Sequence, residues 1–251
     1  MRKEIADQLL AKVRDDYDVI ADAFSASRVS TWPEMDRIRE FIKPGDRVLD
    51  LGCGNGRAYQ LCKGMAIEYE GMDASSELIA HAKKNVNDLL ATFVVGNMTA
   101  LPYESSSFDL LLMIASFHHL PSEEYRLAAM REAFRVLKPG GVLFMTNWDR
   151  WKPQYAAEHF AAFFKKILGL SPYDFGDVFV AWNRGGAKVM RYYHAFTRSS
   201  LARVCRKAGL VVAENYHVAK GVRVPWWKGD NIVTVCRKPR LADTNPDPLL
   251  F

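Results

Sequence analysis

A doubly wound α/β domain is what the pattern of this chain predicts, and three observations predict it. Short hydrophobic segments alternate with amphipathic helical ones from residue 47 onward, the first runs straight into a glycine-rich turn, and an acidic residue closes the second. Alternation of this kind builds a mostly parallel sheet with helices on both faces. With 251 residues, 49% of them hydrophobic, the chain can bury one full core, so residues 1–251 are read as a single domain.

Ile5, Leu9, Leu10, Val13, Tyr17, Ile20 and Phe24 recur at threes and fours, which predicts an amphipathic helix over 3–25. A second helix is expected over 33–42, and the two form an N-terminal helical cap, residues 1–43. Pro44-Gly45-Asp46 then marks a turn. Strands at 47–51, 69–72, 92–95, 108–114 and 142–146, with helices near 75–87 and 122–137, compose a core over 44–148. Residues 149–196 break the alternation. A helix at 156–168 and an irregular aromatic, glycine-containing run at 171–188 predict an insertion over the sheet edge. Thr197 or Ser199 caps a helix that stops at Gly209. Strands at 210–218 and 231–237, joined by a short loop, close the sheet as an antiparallel pair and make it seven-stranded. Residues 239–251, with Pro239, Pro246 and Pro248, are expected to form a loosely attached tail.

Composition excludes several classes of function. No run of about eighteen apolar residues is present, and Asp15, Asp16, Asp18 and Asp22 make the first thirty residues too acidic for a secretory signal, so no membrane association and a cytoplasmic location are expected. Cys53, Cys62, Cys205 and Cys236 show no ligand spacing, which predicts free thiols and no metal site. The net charge of +5 is uneven: residues 1–150 hold 18 Lys/Arg against 22 Asp/Glu, and residues 151–251 hold 16 against 7. The basic portion is either a face for phosphates or a solvated surface.

The segment Val48 to Gly56 reads V-L-D-L-G-C-G-N-G. Glycines 52, 54 and 56 let the backbone turn sharply and approach a ligand that a Cβ would hold off. The spacing is G-x-G-x-G, which argues against the G-x-G-x-x-G of dinucleotide folds. Asp73 follows 21 residues after Gly52, where a carboxylate accepts hydrogen bonds from ribose hydroxyls. Together they fit a nucleoside cofactor without a diphosphate.

These segments, with Gly71-Met72-Asp73, Val95 to Met98, Leu101-Pro102, Ser107-Phe108-Asp109 and Val136 to Gly141, resemble the class I S-adenosylmethionine-dependent methyltransferases over about residues 15–148. The resemblance implies their Rossmann-like fold and S-adenosyl-L-methionine as cofactor. It implies Asp50 with Gly52, Cys53, Gly54 and Gly56 at the methionine part, Asp73 and Ala74 at the ribose, and Asn97 and Met98 at the adenine. Tyr17, Arg28 and Ala115 complete the implied cofactor site. Many relatives carry Asp before that methionine; Asn97 still donates to a ring nitrogen.

Three further stretches, Tyr17 to Arg28 with Trp32-Pro33, Ile114 to Leu120, and Arg191-Tyr192-Tyr193-His194, resemble the tRNA wobble-uridine carboxymethyl methyltransferases. That resemblance implies esterification of a carboxylate on tRNA and a small zinc-containing activator protein as a partner. A carboxylate with a pKa of about 4 is already an anion at neutral pH, so no general base is required and the enzyme has to position and desolvate. The expected substrate-positioning residues are His118, His119, Arg191, Tyr192, Tyr193, His194 and Arg223. Arg28, Arg191 and Arg223 bind carboxylate or phosphate, or are surface cations. His118 and His119 face cofactor and substrate, or are one capping and one exposed histidine. Tyr192, Tyr193, Trp226 and Trp227 offer base-stacking faces or seal a lid. The alternative reading is a methyltransferase for a small quinone-like or natural-product acid or phenol.

Overall fold

The computed structural model describes residues 1–149 and 156–240; the tail expected beyond residue 240 lies outside the described residues. Five strands form the parallel part of the main sheet: β1 (Arg47–Leu51), β2 (Glu68–Asp73), β3 (Ala91–Val95), β4 (Phe108–Ile114) and β5 (Leu137–Trp148). Alternate residues on β4 enter two different clusters. Leu111 and Met113 pack with Leu49, Leu51, Leu143 and Met145 on one face, while Leu110, Leu112 and Ile114 pack with Val48, Tyr69 and Phe144 on the other. Both faces are therefore buried, and the strands read as continuous apolar runs.

Three antiparallel strands, β8 (Val211–Ala219), β9 (Val222–Arg223) and β10 (Asn231–Arg237), extend the sheet, and the strand order is β3-β2-β1-β4-β5-β10-β8-β9. The order reverses between β1 and β4, and their carboxyl ends open the crevice where ligands of doubly wound sheets bind. Helices α2 (Ser76–Asn85), α3 (Glu123–Val136) and α5 (Arg198–Lys207) start at capped positions. Ser75 accepts from the Leu78 N–H at 3.1 Å, Ser122 from Tyr125 at 3.3 Å and Thr197 from Ser200 at 3.2 Å, each satisfying an N–H that the first helical turn leaves without a partner. Gly209, at φ 93°, ends α5 as its missing Cβ allows.

Three expectations need correction. The sheet has eight strands, because the loop between β8 (Val211–Ala219) and β10 (Asn231–Arg237) contains a two-residue strand, β9 (Val222–Arg223), paired with β8. The segment Pro33–Phe41 is a 3₁₀ helix; its apolar residues Met35, Ile38 and Phe41 recur at three, the spacing that eclipses in 3₁₀ geometry. The run expected to be irregular forms most of a hairpin, β6 (Asp177–Arg184) with β7 (Ala187–His194), standing as a separate two-stranded sheet. It packs beside α1 (Lys3–Ser27), the long cap helix, and α4 (Ala156–Ile167). Among the described residues, no helix is long and apolar enough to cross a membrane.

Candidate active site

Between the carboxyl ends of β1 and β4, the cap helix α1 and the β6–β7 hairpin lies a cavity of about 1080 Å³. Its floor is the glycine loop. Gly52 takes φ 76°, and a Cβ there would come within 2.3 Å of the Ser116 Cβ. The Gly52 and Cys53 N–H groups donate to the Met72 carbonyl at 2.7 and 3.0 Å, which pins the loop to the end of β2. Burial pushes the Cys53 thiol well above its ordinary value, so it packs as a neutral group.

Two carboxylates flank the loop. The Asp73 oxygens accept one backbone N–H each, from Ser75 and Gly54, both at 2.9 Å; burial raises its pKa and these bonds counter part of the rise. Each oxygen keeps lone-pair capacity for a further donor. Asp50 is buried, its Oδ2 accepts from the Tyr69 hydroxyl at 2.7 Å, and its Oδ1 has no hydrogen-bond partner. Burial is the main cause that pushes its pKa up to about 7. An orphaned buried carboxylate oxygen beside a glycine cradle suits a cationic donor such as an ammonium group.

The rim residues Ala74, Asn97 and Met98 also line the cavity. Asn97 Oδ1 accepts from both the backbone N–H and the hydroxyl of Thr99, at 2.9 Å each, which leaves the amide nitrogen as its donor toward a ligand. Ala115 sits at φ 53°, and its N–H donates to the Thr146 carbonyl at 3.0 Å, turning the chain sharply after β4. Next to it the Ser116 hydroxyl donates to the Leu51 carbonyl at 2.6 Å.

His118 and His119 both face the cavity. His119 Nδ1 lies 2.9 Å from the Tyr192 carbonyl and its Nε2 2.9 Å from the Tyr17 hydroxyl. A carbonyl only accepts, so Nδ1 carries the proton, Nε2 accepts and Tyr17 donates. Burial pushes the His119 pKa down to about 3, so the ring is neutral at physiological pH. His118 is buried, and its Nδ1 accepts from the Trp148 N–H at 3.2 Å. Trp148 and Tyr193 stack with centroids 3.9 Å apart and planes 9° from parallel, and the His118 ring lies 5.1 Å from that of Tyr193.

A group of cations lines the same cavity. Arg191 is buried over the rings of Trp182 and Tyr193, at 4.8 and 5.2 Å, and its Nε has no hydrogen-bond partner. Burial lowers the Arg28 pKa, and the neighbouring Arg191 and Arg184 lower it further. Arg57, which directly follows the glycine loop, lies 4.2 Å over the Trp32 ring, has one unpartnered guanidinium nitrogen, and is pushed down to about 10 by burial and then by Arg28. Guanidiniums with unpaired donors facing one cavity match the geometry of a carboxylate or phosphate.

The structure brings together Tyr17, Arg28, Asp50, Gly52, Cys53, Gly54, Asp73, Ala74, Asn97, Met98, Ala115, His118, His119, Arg191 and Tyr193, all of them lining this cavity. It does not bring Tyr192, His194, Arg223 or Gly56 to the wall. Tyr192 and His194 are on the opposite side of β7 from Arg191 and Tyr193, because side chains alternate along a strand. Both bind Asp177 Oδ1, the Tyr192 hydroxyl at 2.8 Å and His194 Nδ1 at 2.7 Å. Arg223 pairs with Glu214 over the Tyr216 ring. Gly56 allows close packing, since a Cβ would lie 3.2 Å from both Ala82 and Phe93. Trp148, Trp182, Arg57 and Arg184 were missed. Arg57 could have been found from its place one residue beyond the glycine loop, and Trp182 and Arg184 from the hairpin.

Comparison with known proteins is in line with this geometry. Residues 49–145 match the family described as Methyltransferase domain. The chain is 32% identical over 201 residues to a protein of Encephalitozoon cuniculi named as a methyltransferase, covering 79% of this chain and 87% of that one. It is 36% identical over 132 residues to the tRNA (carboxymethyluridine(34)-5-O)-methyltransferase of Arabidopsis thaliana, which is 53% of this chain and 31% of that protein. The chain thus spans about a third of that relative's length. Two solved structures share the fold. One is an S-adenosylmethionine-dependent methyltransferase from Methanosarcina mazei, with a TM-score of 0.67, 24% identity and coverage of 84% of this chain and 99% of that one. The other is a Haloferax volcanii protein in complex with the Trm112 methyltransferase activator, with a TM-score of 0.63, 21% identity and coverage of 91% and 98%.

Proposed function

The chain belongs to the S-adenosylmethionine-dependent methyltransferases, and from that premise we propose that it esterifies the carboxymethyl group of a tRNA wobble uridine. The observation that carries this reading is the set Arg28, Arg184 and Arg191, neighbours on the cavity wall with a buried, unpartnered Nε on Arg191. A planar guanidinium matches a carboxylate in a bidentate pair.

Bound S-adenosylmethionine supplies a methyl group on a positively charged sulfur, which an incoming carboxylate oxygen takes without any proton being moved. Asp50 would receive the ammonium of the methionine part through Oδ1, and Gly52 and Gly54 would give that part room. Asp73 would use its remaining lone pairs for the two ribose hydroxyls, and the Asn97 amide nitrogen would donate to the adenine. His119 is neutral and its acceptor nitrogen is taken by Tyr17, so it shapes the wall and orders α1 instead of acting as a base. His118, Trp148 and Tyr193 give a flat aromatic wall for the base that carries the carboxylate. Arg28 and Arg191 would hold that carboxylate for transfer, a positioning effect worth up to about 7–11 kcal/mol.

The relative from Arabidopsis is named for this reaction, and the uneven basic charge of residues 151–251 supports an RNA substrate. The Haloferax neighbour, solved with its Trm112 activator, supports a small zinc-containing activator protein as a partner. A salt series tests the substrate class. Methylation of carboxymethylated tRNA should fall steeply with added salt; salt-independent turnover of a free small acid, with tRNA inert, would replace this reading with the small-molecule one.

A further inference from the structure

We propose that the loop between β8 and β10 is a second nucleobase-stacking site, outside the cavity, which grips single-stranded RNA next to the reacting nucleotide; the proposal rests on the tRNA reading above. Trp226 and Trp227 occupy a short 3₁₀ turn in this loop. They expose 53% and 56% of their surface, although Trp is highly buried on average and enriched where proteins meet partners. Their rings stand edge to face, at 87° with centroids 5.7 Å apart.

The loop is braced at both feet. A Cβ on Gly221 would come within 2.6 Å of the Pro33 Cβ, and one on Gly229 within 3.0 Å of the His217 Cβ. β9 pairs with β8, and the Asp230 N–H donates to the Val218 carbonyl at 2.9 Å. Held this way, the indoles meet a ligand without a folding cost in the loop. Lys220 and Asp230, at the two ends of the loop, line the cavity, which places the loop beside it.

Charge selects the ligand. The loop carries Lys220, Arg223 and Lys228 against Asp230, and Arg223 is paired with Glu214. Aromatic faces interleaved with cations match a single strand, whose bases offer π faces and whose backbone carries the negative charge. A duplex stacks its bases on each other and withholds those faces.

The test uses an unmodified anticodon stem-loop RNA, which lacks the carboxymethyl group and so reports binding apart from the reaction. Its affinity is measured for the unaltered chain, for Trp226→Ala with Trp227→Ala, and for the corresponding double Phe variant. S-adenosylmethionine affinity reports on the fold of each. Loss of one stacked base weakens binding about five- to 150-fold, so the Ala variant should bind this RNA at least about tenfold more weakly, the Phe variant should keep most of the affinity, and duplex RNA binding should not change. Equal affinity of the Ala variant and the unaltered chain overturns the proposal, even if modified tRNA is still methylated. Equal loss toward duplex RNA overturns it as well. Loss of binding to phosphatidylserine vesicles with RNA affinity intact would assign the tryptophans to a lipid surface and overturn it too. If instead the tryptophans grip the RNA but modified tRNA receives no methyl group, this site stands and the tRNA reading of the cavity falls.

Discussion

The Tyr17 hydroxyl donates to Nε2 of His119 at 2.9 Å across 102 residues of sequence, and this bond fastens the cap helix to the turn that follows β4. Because His119 Nδ1 donates to the Tyr192 carbonyl, the same ring also anchors β7. One imidazole thus joins three walls of the cavity.

A histidine held in this way should remain neutral and protonated at Nδ1 far below its ordinary range. With a folded pKa of about 3 against about 6.5 in the unfolded chain, the folded state takes up the proton later. Stability is therefore full above about pH 6.5 and is lost as pH falls toward 3. Long-range ¹⁵N–¹H NMR should report a neutral Nδ1–H tautomer for His119 at pH 5; an imidazolium signal there would contradict the account. Tyr17→Phe leaves a buried acceptor without its donor and should cost about 1–3 kcal/mol in denaturant unfolding.

Asp50 couples cofactor binding to pH. Its raised pKa of about 7 leaves much of the apo protein protonated near neutrality, while an ammonium ligand requires the carboxylate. Affinity for S-adenosylmethionine should therefore fall roughly tenfold per unit below about pH 7, with a proton released on binding, as calorimetry in buffers of different ionisation heat would read. A group with a raised folded pKa adds stability below the unfolded value and loses it as pH rises through the folded one. Asp50→Asn should accordingly stabilise the apo protein above pH 7 while it weakens binding. A variant that keeps both full affinity and the pH slope would remove Asp50 from the site.

Gly52→Ala tests the loop. The position combines a positive φ with a Cβ approach of 2.3 Å to Ser116. The left-handed backbone alone costs about 1–2 kcal/mol, and overpacking adds about 1–3 kcal/mol. Thermal unfolding should show a marked loss of stability, and S-adenosylmethionine binding should disappear.

Arg191→Ala separates cofactor from substrate. It removes a charge-assisted hydrogen bond worth about 1.5–3 kcal/mol, so kcat/KM on carboxymethylated tRNA should fall by about ten- to 150-fold. Cofactor affinity should stay within about twofold, since Asp50, Asp73 and the Gly52–Cys53 turn are held by partners other than Arg191. Arg191→Lys should restore only part of the loss, because an ammonium cannot form the bidentate pair. Equal losses in both measurements would show that Arg191 serves the fold.

The cofactor half of the cavity was legible in the sequence because it is local: a buried strand, three glycines and one carboxylate at the end of the next strand dictate a single backbone path. The substrate half was less legible. Arg191, Tyr192, Tyr193 and His194 read as one motif, yet on a strand they divide into alternate faces, Arg191 and Tyr193 toward the cavity and Tyr192 and His194 toward Asp177. The signal for that strand was present in Gly185-Gly186, whose φ values of 65° and 79° form the two-residue turn that hairpins prefer. The inward alternation of Val178, Val180 and Trp182 pointed the same way. Arg223 looked like a site residue because its charge was visible, whereas its partner Glu214, on the neighbouring strand, was not.

The carboxyl esterification is read from transfer of labelled methyl from S-adenosylmethionine to tRNA that carries carboxymethyluridine, followed by nucleoside analysis. One label is expected on the modified uridine, as an ester that alkali releases. Label on a base carbon, nitrogen or ribose oxygen, or no label while S-adenosylmethionine binds and the activator protein is supplied, would contradict it.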